Sequence, residues 1–222
     1  MPTNRVYYNK YMDYFMWFLI SNKAPLSKYP IYLGYFPKDN IPYIYFNSEQ
    51  MTRKYALNHL KSLIITSKPV EIWDYSLKNV EILKEHGIAA KYVKVYPSDE
   101  YLERVKLWIK QTPEYDVGFC GELSERRNNI LTAIKKSDIS LNIVKKWGDE
   151  RDKELAKCRI IINIHYDKDY NIFETARCEP WLTLGIPVVS EISLDNDDRC
   201  INVPYNNMVD EVCKIIKTYR TL

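Results

Sequence analysis

The loop at residues 118–127 carries residue types that suit the binding of phosphate. Its sequence, Gly-Phe-Cys-Gly-Glu-Leu-Ser-Glu-Arg-Arg, places Gly121, Arg126 and Arg127 directly after a predicted strand. A glycine lets the backbone approach a ligand closely, a helix N-terminus attracts an anion, and guanidinium groups donate paired hydrogen bonds to phosphate. The pattern is neither a GxGxxG dinucleotide loop nor a P-loop, so a glycine turn followed by surface arginines is the alternative interpretation.

A second loop combines polar and aromatic side chains after the most apolar run of the chain. Its candidate ligand-binding residues are His165, Tyr166, Phe173, Glu174 and Arg177. Glu174 and Arg177 are three residues apart, so a helix places them on one face, where the carboxylate accepts from hydroxyls and the guanidinium holds phosphate. The alternatives are a surface ion pair for these two and a buried structural role for His165.

Three side chains are candidates for acid–base catalysis. Glu49 and Asp74 stand at the ends of predicted strands in the N-terminal half, and His165 follows a predicted buried strand. A group transfer that inverts the reacting carbon requires a general base to take a proton from the attacking hydroxyl. A purely structural role for each carboxylate is equally compatible with the sequence.

Alternating strands and helices predict where these loops lie. Strands are predicted at residues 31–36, 43–46, 72–74, 92–95, 116–119, 141–144, 159–164, 187–190 and 200–203. Helices are predicted at 10–21, 51–62, after a Ser76 cap to Gly87, 100–110, after a Ser124 cap, 149–157, 172–184 and 207–219.

The run Arg-Ile-Ile-Ile-Asn-Ile at 159–164 shows little alternation, as expected of a strand buried on both faces. The sequence therefore predicts an α/β protein with parallel sheets flanked by helices, in two Rossmann-like lobes. With a linker at 111–113, residues 1–112 form a shortened N-terminal lobe and residues 113–222 a C-terminal ligand-binding lobe. Ligands of such sheets bind beyond the carboxyl ends of the strands.

Composition excludes several classes of protein. The net charge of +3 does not indicate a nucleic-acid surface, and the apolar run at 14–20 is too short for a transmembrane segment. Five cysteines without a CxxC pair favour reduced thiols over a disulfide framework or a zinc site. We expect a cytoplasmic protein.

Several motifs together resemble the group-1-type glycosyltransferases, and most closely their spore-maturation-like branch. They are Phe-Glu-Thr-Ala-Arg at 173–177, Leu-Thr-Leu-Gly-Ile-Pro-Val-Val-Ser-Glu at 182–191, Asn-Ile-His-Tyr at 163–166, Tyr-Phe-Asn-Ser-Glu-Gln at 45–50 and Trp-Asp-Tyr-Ser-Leu-Lys-Asn at 73–79. The resemblance covers residues 44–191. One departure is that Glu174 and Glu179 are five residues apart, whereas many of these enzymes carry a Glu-x7-Glu pair.

This resemblance implies a GT-B fold and a glycosyltransferase that takes a nucleoside-diphosphate sugar as donor, with no required metal or other cofactor. Arg126 or Arg127 would occupy the basic phosphate-binding position after the glycine turn. The acceptor, whether glycan, lipid or protein, is not specified by the resemblance.

Two other functions are compatible with the same residues. A GT-A-type transferase would hold Mg²⁺ or Mn²⁺ with an Asp-x-Asp triplet, for which Asp167 and Asp169 are the candidates and residues 195–197 a second match. A non-catalytic module on a shortened glycosyltransferase fold would bind nucleotide, glycan or a partner protein. A methyltransferase fits less well, because Lys145 and Lys146 stand where an acidic residue would hold the ribose.

Overall fold

The computed structural model describes residues 4–8, 18–19, 24–37 and 41–221. The chain divides into two compact units, which are Met1–Asp99 with Asp169–Ala176, and Glu100–Lys168 with Arg177–Leu222. Each unit contains a parallel sheet with helices packed on it, which confirms the predicted α/β class. The boundary between the two lobes was predicted at residues 111–113. The compact units instead divide between Asp99 and Glu100, and residues 169–176 belong to the first unit. The separate roles given to the two lobes stay predictions.

The first unit is built on a sheet whose strands lie in chain order. Its described elements are β1 (Val6–Tyr8), β2 (Ile31–Leu33), β3 (Ile44–Asn47), α1 (Lys54–Ser67), β4 (Glu71–Asp74), α2 (Leu77–Glu85) and β5 (Lys91–Tyr92). All pairs are parallel, and the order is β1-β2-β3-β4-β5. The predicted helix at 10–21 lies largely outside the described residues, of which Phe18 and Leu19 are helical.

Alternation along β3 explains how this sheet is covered on both faces. Ile44 and Phe46 pack in one buried cluster, while Tyr45 packs in another that contains residues of α1. The predicted cap of α2 is present, since the Ser76 hydroxyl accepts a hydrogen bond from the backbone N–H of Asn79. Gly87 follows this helix with a φ of +73°, the left-handed conformation in which glycine is least strained.

The second unit is a five-stranded parallel sheet of the doubly wound kind. Its elements are α3 (Asp99–Lys106), β6 (Tyr115–Cys120), α4 (Glu125–Lys135), β7 (Leu141–Val144), α5 (Gly148–Leu155), β8 (Cys158–Asn163), α6 (Thr175–Thr183), β9 (Val188–Glu191), β10 (Ile201–Val203), a 3-10 turn (Tyr205–Asn207) and α7 (Met208–Thr221). The order β10-β9-β8-β6-β7 places β8 at the centre, as the apolar run predicted.

The strand order reverses between β6 and β8. From β6 the chain goes to β7 on one side and then crosses to β8 on the other. In doubly wound sheets, such a reversal opens a crevice at the carboxyl ends of the two strands, and ligands bind there. Gly118 brings β6 close to β8, because a Cβ at this position would lie 2.8 Å from Cys158 Sγ.

The described helices are all too short or too polar to cross a lipid bilayer.

Candidate anion-binding site

Two guanidinium groups converge on Gly121, the first residue after β6. This glycine has a φ of +137°, and a Cβ built on it would lie 2.9 Å from Arg177 Nη2 and 3.1 Å from Arg127 Nη1. Glycine is therefore required both by the backbone conformation and by the approach of the two side chains. The result is a cationic cluster at the carboxyl ends of β6 and β8, which we call the arginine cradle and define as Gly121, Arg127 and Arg177.

Arg127 enters the cradle from the first turn of α4 and is 2% exposed. Its Nε donates to the Ile164 carbonyl at 2.8 Å, and its Nη1 donates to the Glu122 carbonyl at 2.7 Å. Burial, followed by the nearby charge of Arg177, lowers the pKa of Arg127 to about 9. The cradle thus holds a buried cation in the field of a second cation, an arrangement that an anion would stabilise.

Arg177 reaches the cradle from α6 and is oriented by the ends of two strands. Its Nη1 donates to Asn163 Oδ1 at 2.9 Å, and Asn163 is completely buried at the end of β8. The amide group of Asn163 in turn donates to Ser190 Oγ at 3.1 Å, which links it to β9. This chain of hydrogen bonds fixes the position of the Arg177 guanidinium.

Arg126 has a different environment from its neighbour in the sequence. It forms a bidentate ion pair with the buried carboxylate of Glu191, in which Nη1 lies 2.6 Å from Oε2. Its guanidinium also lies 3.7 Å from the centre of the Tyr205 ring. The Glu191 carboxylate accepts a further hydrogen bond from the backbone N–H of His165 at 3.0 Å. Arg126 therefore ties α4 to the ends of β8 and β9, while Arg127 faces the cradle.

His165 is buried beside this ion pair. Its Nε2 lies 3.2 Å from both the Ile192 carbonyl and Ser193 Oγ, a geometry that assigns the proton to Nε2. Burial lowers the pKa of His165 below its ordinary value of 6.5, so the imidazole is neutral at pH 7. Its Nδ1 is buried without a hydrogen-bond partner among the described residues. A catalytic role for His165 stays a prediction.

Ser124 joins the two loops that the sequence singled out. Its hydroxyl accepts from the backbone N–H of Arg127 at 3.2 Å, as the predicted helix cap, and donates to the carbonyl of Tyr166 at 2.6 Å. The Tyr166 ring lies 5.5 Å from the Arg127 guanidinium. Six of the predicted donor-binding residues therefore belong to one neighbourhood of the second unit, namely Gly121, Arg126, Arg127, His165, Tyr166 and Arg177.

Phe173 and Glu174 belong to the first compact unit, whereas Arg177 belongs to the second. Phe173 is buried. Helix α6 begins at Thr175, so Glu174 directly precedes the helix that carries Arg177. Joint clamping of a donor by Glu174 and Arg177 stays a prediction.

Asp74 is the centre of a buried polar network in the first unit. Its Oδ2 accepts from Asn47 Nδ2 at 2.6 Å, and its Oδ1 accepts from the backbone N–H of Ser76 at 2.8 Å and from Asn79 Nδ2 at 3.1 Å. The carboxylate has no exposed surface. This geometry suits a group that connects the ends of β3 and β4, and its action as a general base stays a prediction.

Glu49 lies in the same region of the first unit but is half-buried. Its carboxylate pairs with Arg53 at 2.8 Å, and its backbone carbonyl accepts from both Asn47 and Asn79. The partly exposed carboxylate of Glu49 is therefore more accessible than that of Asp74. Its role as a base likewise stays a prediction.

The Asp-x-Asp triplet that would serve a metal-dependent transferase is exposed. Asp167 belongs to the second unit and Asp169 to the first, where the Asp169 carbonyl accepts from the Thr52 hydroxyl at 2.7 Å. Within the described ranges, no three His, Cys, Asp or Glu side chains form a group that could hold a metal ion.

Two residues of the site were not predicted from the sequence. Glu191 neutralises Arg126, and Asn163 orients Arg177. Each is a polar residue at the end of its strand, after Ile-Ile-Ile in β8 and after Val-Val-Ser in β9. That position was the available signal, because polar side chains at the carboxyl ends of buried parallel strands face the ligand-binding edge of the sheet.

Comparison with known proteins finds relatives in Acanthamoeba polyphaga mimivirus. Uncharacterized protein L137 of Acanthamoeba polyphaga mimivirus is 36% identical over 151 residues, which are 67% of this chain and 20% of that protein. Uncharacterized protein L138 of the same virus is 31% identical over 182 residues, 77% of this chain and 20% of its own. Uncharacterized protein L140 is 28% identical over 183 residues, 78% of this chain and 59% of its own.

The chain thus spans about a fifth of the length of the first two relatives and about three fifths of the third. No protein-family model matches the sequence, and no solved structure matches it either.

Proposed function

We propose that this chain binds a nucleoside-diphosphate sugar at the carboxyl edge of its second sheet and transfers the sugar to an acceptor without a metal ion. The observation that carries the proposal is the convergence of Arg127 and Arg177 on Gly121, beside the crevice between β6 and β8. A phosphate bound beside Gly121 would lie near both guanidinium groups, and each of them can donate to its oxygens.

Charge supports a diphosphate as the ligand of the cradle. The distances from the Gly121 position place the two guanidinium nitrogens at most about 6 Å apart. Two unit charges at this separation repel by about 3 kcal/mol at an effective dielectric constant of about 20. Negative charge on a ligand between the two guanidinium groups is attracted by both and offsets this repulsion, and a diphosphate brings more negative charge than a neutral or singly charged group.

The same contacts would assist the chemical step. Transfer of a sugar breaks the bond between its anomeric carbon and the diphosphate, which leaves with additional negative charge. Cationic donors fixed at that position stabilise the departing group, and they need no reorganisation during the reaction. The hydrogen bonds of Arg127 and Arg177 to backbone and Asn163 provide this fixed position.

The acceptor half of the reaction is assigned to the first unit by resemblance to GT-B enzymes. The attacking hydroxyl group of the acceptor needs a general base if the anomeric centre is inverted, and the candidates are Glu49, Asp74 and His165. Of these three, the partly exposed carboxylate of Glu49 is the best placed to meet a substrate.

Binding is tested by calorimetry with UDP, GDP and inorganic pyrophosphate, with EDTA present. We expect Arg127→Ala and Arg177→Ala each to weaken binding about tenfold or more, since hydrogen bonds to charged groups contribute about 1.5–3 kcal/mol. Arg220→Ala is the matched control, because it removes the same charge from a half-exposed side chain that pairs with Asp116 near the start of β6. If Arg127→Ala and Arg177→Ala bind these ligands as tightly as Arg220→Ala does, the cradle is excluded as the phosphate site.

Transfer is tested by incubating the protein with nucleotide sugars and measuring nucleoside diphosphate released, with EDTA or with Mn²⁺. Release in EDTA supports the metal-independent transferase. Release that strictly requires Mn²⁺ would favour the GT-A alternative. Tight nucleotide binding without release or transfer, across donors and acceptors, would favour the non-catalytic module.

A further inference from the structure

Of the three histidines in the chain, only His165 is buried. It is 1% exposed, whereas His59 on α1 and His86 at the end of α2 are exposed on the first unit. Imidazole is the side chain whose ordinary pKa lies closest to neutral pH, so its charge responds to small changes in its surroundings. His165 is therefore a group through which the second unit can gain a buried positive charge.

The hydrogen bonds of the His165 ring account for one of its two nitrogens. Nε2 lies 3.2 Å from both the Ile192 carbonyl and Ser193 Oγ. Nδ1 is buried and meets no hydrogen-bond partner within the described ranges. Protonation of Nδ1 would place a charged N–H group in this buried position without a protein acceptor. The geometry of the ligand-free protein therefore disfavours the charged form of His165.

His165 lies next to the groups that build the arginine cradle. The carbonyl of the preceding residue, Ile164, accepts from Arg127 Nε at 2.8 Å. The carbonyl of His165 itself accepts from Arg126 Nη1 at 3.4 Å. Arg177 is close enough to the imidazole to act on it electrostatically. Both guanidinium groups of the cradle are therefore neighbours of this residue.

The surroundings of the imidazole oppose its protonation. Burial lowers the pKa of His165 most, and the charges of Arg126 on α4 and Arg177 on α6 lower it further. Glu191 on β9 acts in the opposite direction, but its carboxylate is already paired with Arg126 and accepts the backbone N–H of His165. A negative charge bound beside Arg177 would change this balance, because it would attract a proton to the imidazole.

We infer that His165 takes up a proton when an anion binds at the arginine cradle, so that the pH regulates ligand binding. The inference rests on the proposed function, because it requires an anionic ligand in the cradle. Linkage is reciprocal, so a ligand that favours the protonated imidazole is bound more tightly by the protonated protein. His165 should therefore increase the affinity for the ligand as the pH falls below neutral.

The test compares the binding of inorganic pyrophosphate to the wild type and to His165→Gln by calorimetry, at about pH 8 and about pH 6. Glutamine stays neutral at both pH values and keeps a hydrogen-bond donor on its side chain. The phosphate groups titrate near pH 6 as well, but they do so equally for both proteins and cancel in the ratio of the two affinities. We expect the ratio of wild-type to variant affinity to increase about threefold or more from pH 8 to pH 6, within the limit of about tenfold per pH unit that one proton sets.

His86→Gln is the matched control, because it removes an exposed imidazole from the first unit. It should show the pH dependence of the wild type. NMR titration of the wild type gives a second readout that needs no variant. The pKa of His165 should be higher with pyrophosphate than without it, and the ring signals of His59 and His86 serve as internal controls.

The possible results separate this inference from the proposed function. An equal pH dependence in the wild type and His165→Gln, or a titration of His165 that pyrophosphate does not change, would overturn the inference and leave the proposed function intact. A loss of affinity in His165→Gln that is the same at both pH values would also overturn it, because His165 would then only support the structure of the cradle. A wild-type protein that binds neither nucleotides nor pyrophosphate at either pH would refute the proposed function, and the inference with it.

Discussion

Replacing Gly121 with alanine should impair anion binding more than it impairs the fold. The new Cβ would lie 2.9 Å from Arg177 Nη2 and 3.1 Å from Arg127 Nη1, closer than carbon and nitrogen normally approach. Both atoms are the far ends of flexible side chains, so the contact is relieved by moving the guanidinium groups. The guanidinium groups would then no longer hold the positions from which they can donate to a phosphate.

The expected size of each effect follows from the geometry. A φ of +137° is rarely adopted by residues other than glycine, and such conformations cost about 1–3 kcal/mol. For a chain of this length, each 1 kcal/mol lowers Tm by about 2–4 °C. Displacement of two charged donors should weaken pyrophosphate and UDP binding about tenfold or more, since each charged hydrogen bond contributes about 1.5–3 kcal/mol.

Gly185→Ala provides a matched control in the same unit. Gly185 also has a positive φ, +77°, but a Cβ there would meet no atom within 4 Å. Both variants are compared by urea denaturation and by calorimetry with pyrophosphate. We expect both to lose stability and only Gly121→Ala to lose affinity. Wild-type affinity in Gly121→Ala would refute the cradle, and an equal loss of affinity in Gly185→Ala would attribute the effect to general destabilisation.

Three further outcomes concern stability. Arg126→Ala should lower the free energy of unfolding in urea by about 3 kcal/mol, because it leaves the buried Glu191 carboxylate unpaired, and adding Glu191→Gln should recover part of that loss. Asp74→Ala should lower the free energy of unfolding by a similar amount, since it removes the acceptor of three buried hydrogen bonds. A variant that is fully stable but inactive would instead support the role of Asp74 as a general base. The pKa of His165 is lowered in the folded protein, so below pH 6.5 the unfolded chain binds more protons than the folded protein. The free energy of unfolding should therefore fall as the pH drops below 6.5, by up to about 1.4 kcal/mol per pH unit. The fall should be less steep in His165→Gln.

The sequence predicted the parallel sheets well, because their signals are local. The apolar run at 159–164 identified β8 as a central strand, and the structure places it between β6 and β9. The caps at Ser76 and Ser124 and the turn at Gly87 also appear as predicted, since each depends only on hydrogen bonds or backbone angles within a few residues. Helix boundaries shifted by several residues: α1 ends at Ser67 instead of residue 62, α3 ends at Lys106 instead of residue 110, and α6 begins three residues later than predicted.

Contacts between residues far apart in the sequence could not be predicted from local signals. The segment 169–176 belongs to the first unit because Gln50 and Thr52, more than a hundred residues earlier, hydrogen bond to its backbone. Neither contact has a sequence signal of its own. The partnership of Arg126 with Glu191, 65 residues apart, depends likewise on the order of the strands, which hydrophobic periodicity does not specify.

Arg126 and Arg127 are adjacent in the sequence but have different partners in the fold. Successive residues of a helix point about 100° apart, so neighbouring side chains at the start of α4 enter different surroundings. Arg126 meets a carboxylate and an aromatic ring, whereas Arg127 is buried near Arg177, and its pKa falls. Two like charges at one glycine repel each other, and we expect an anion bound at the cradle to offset that repulsion.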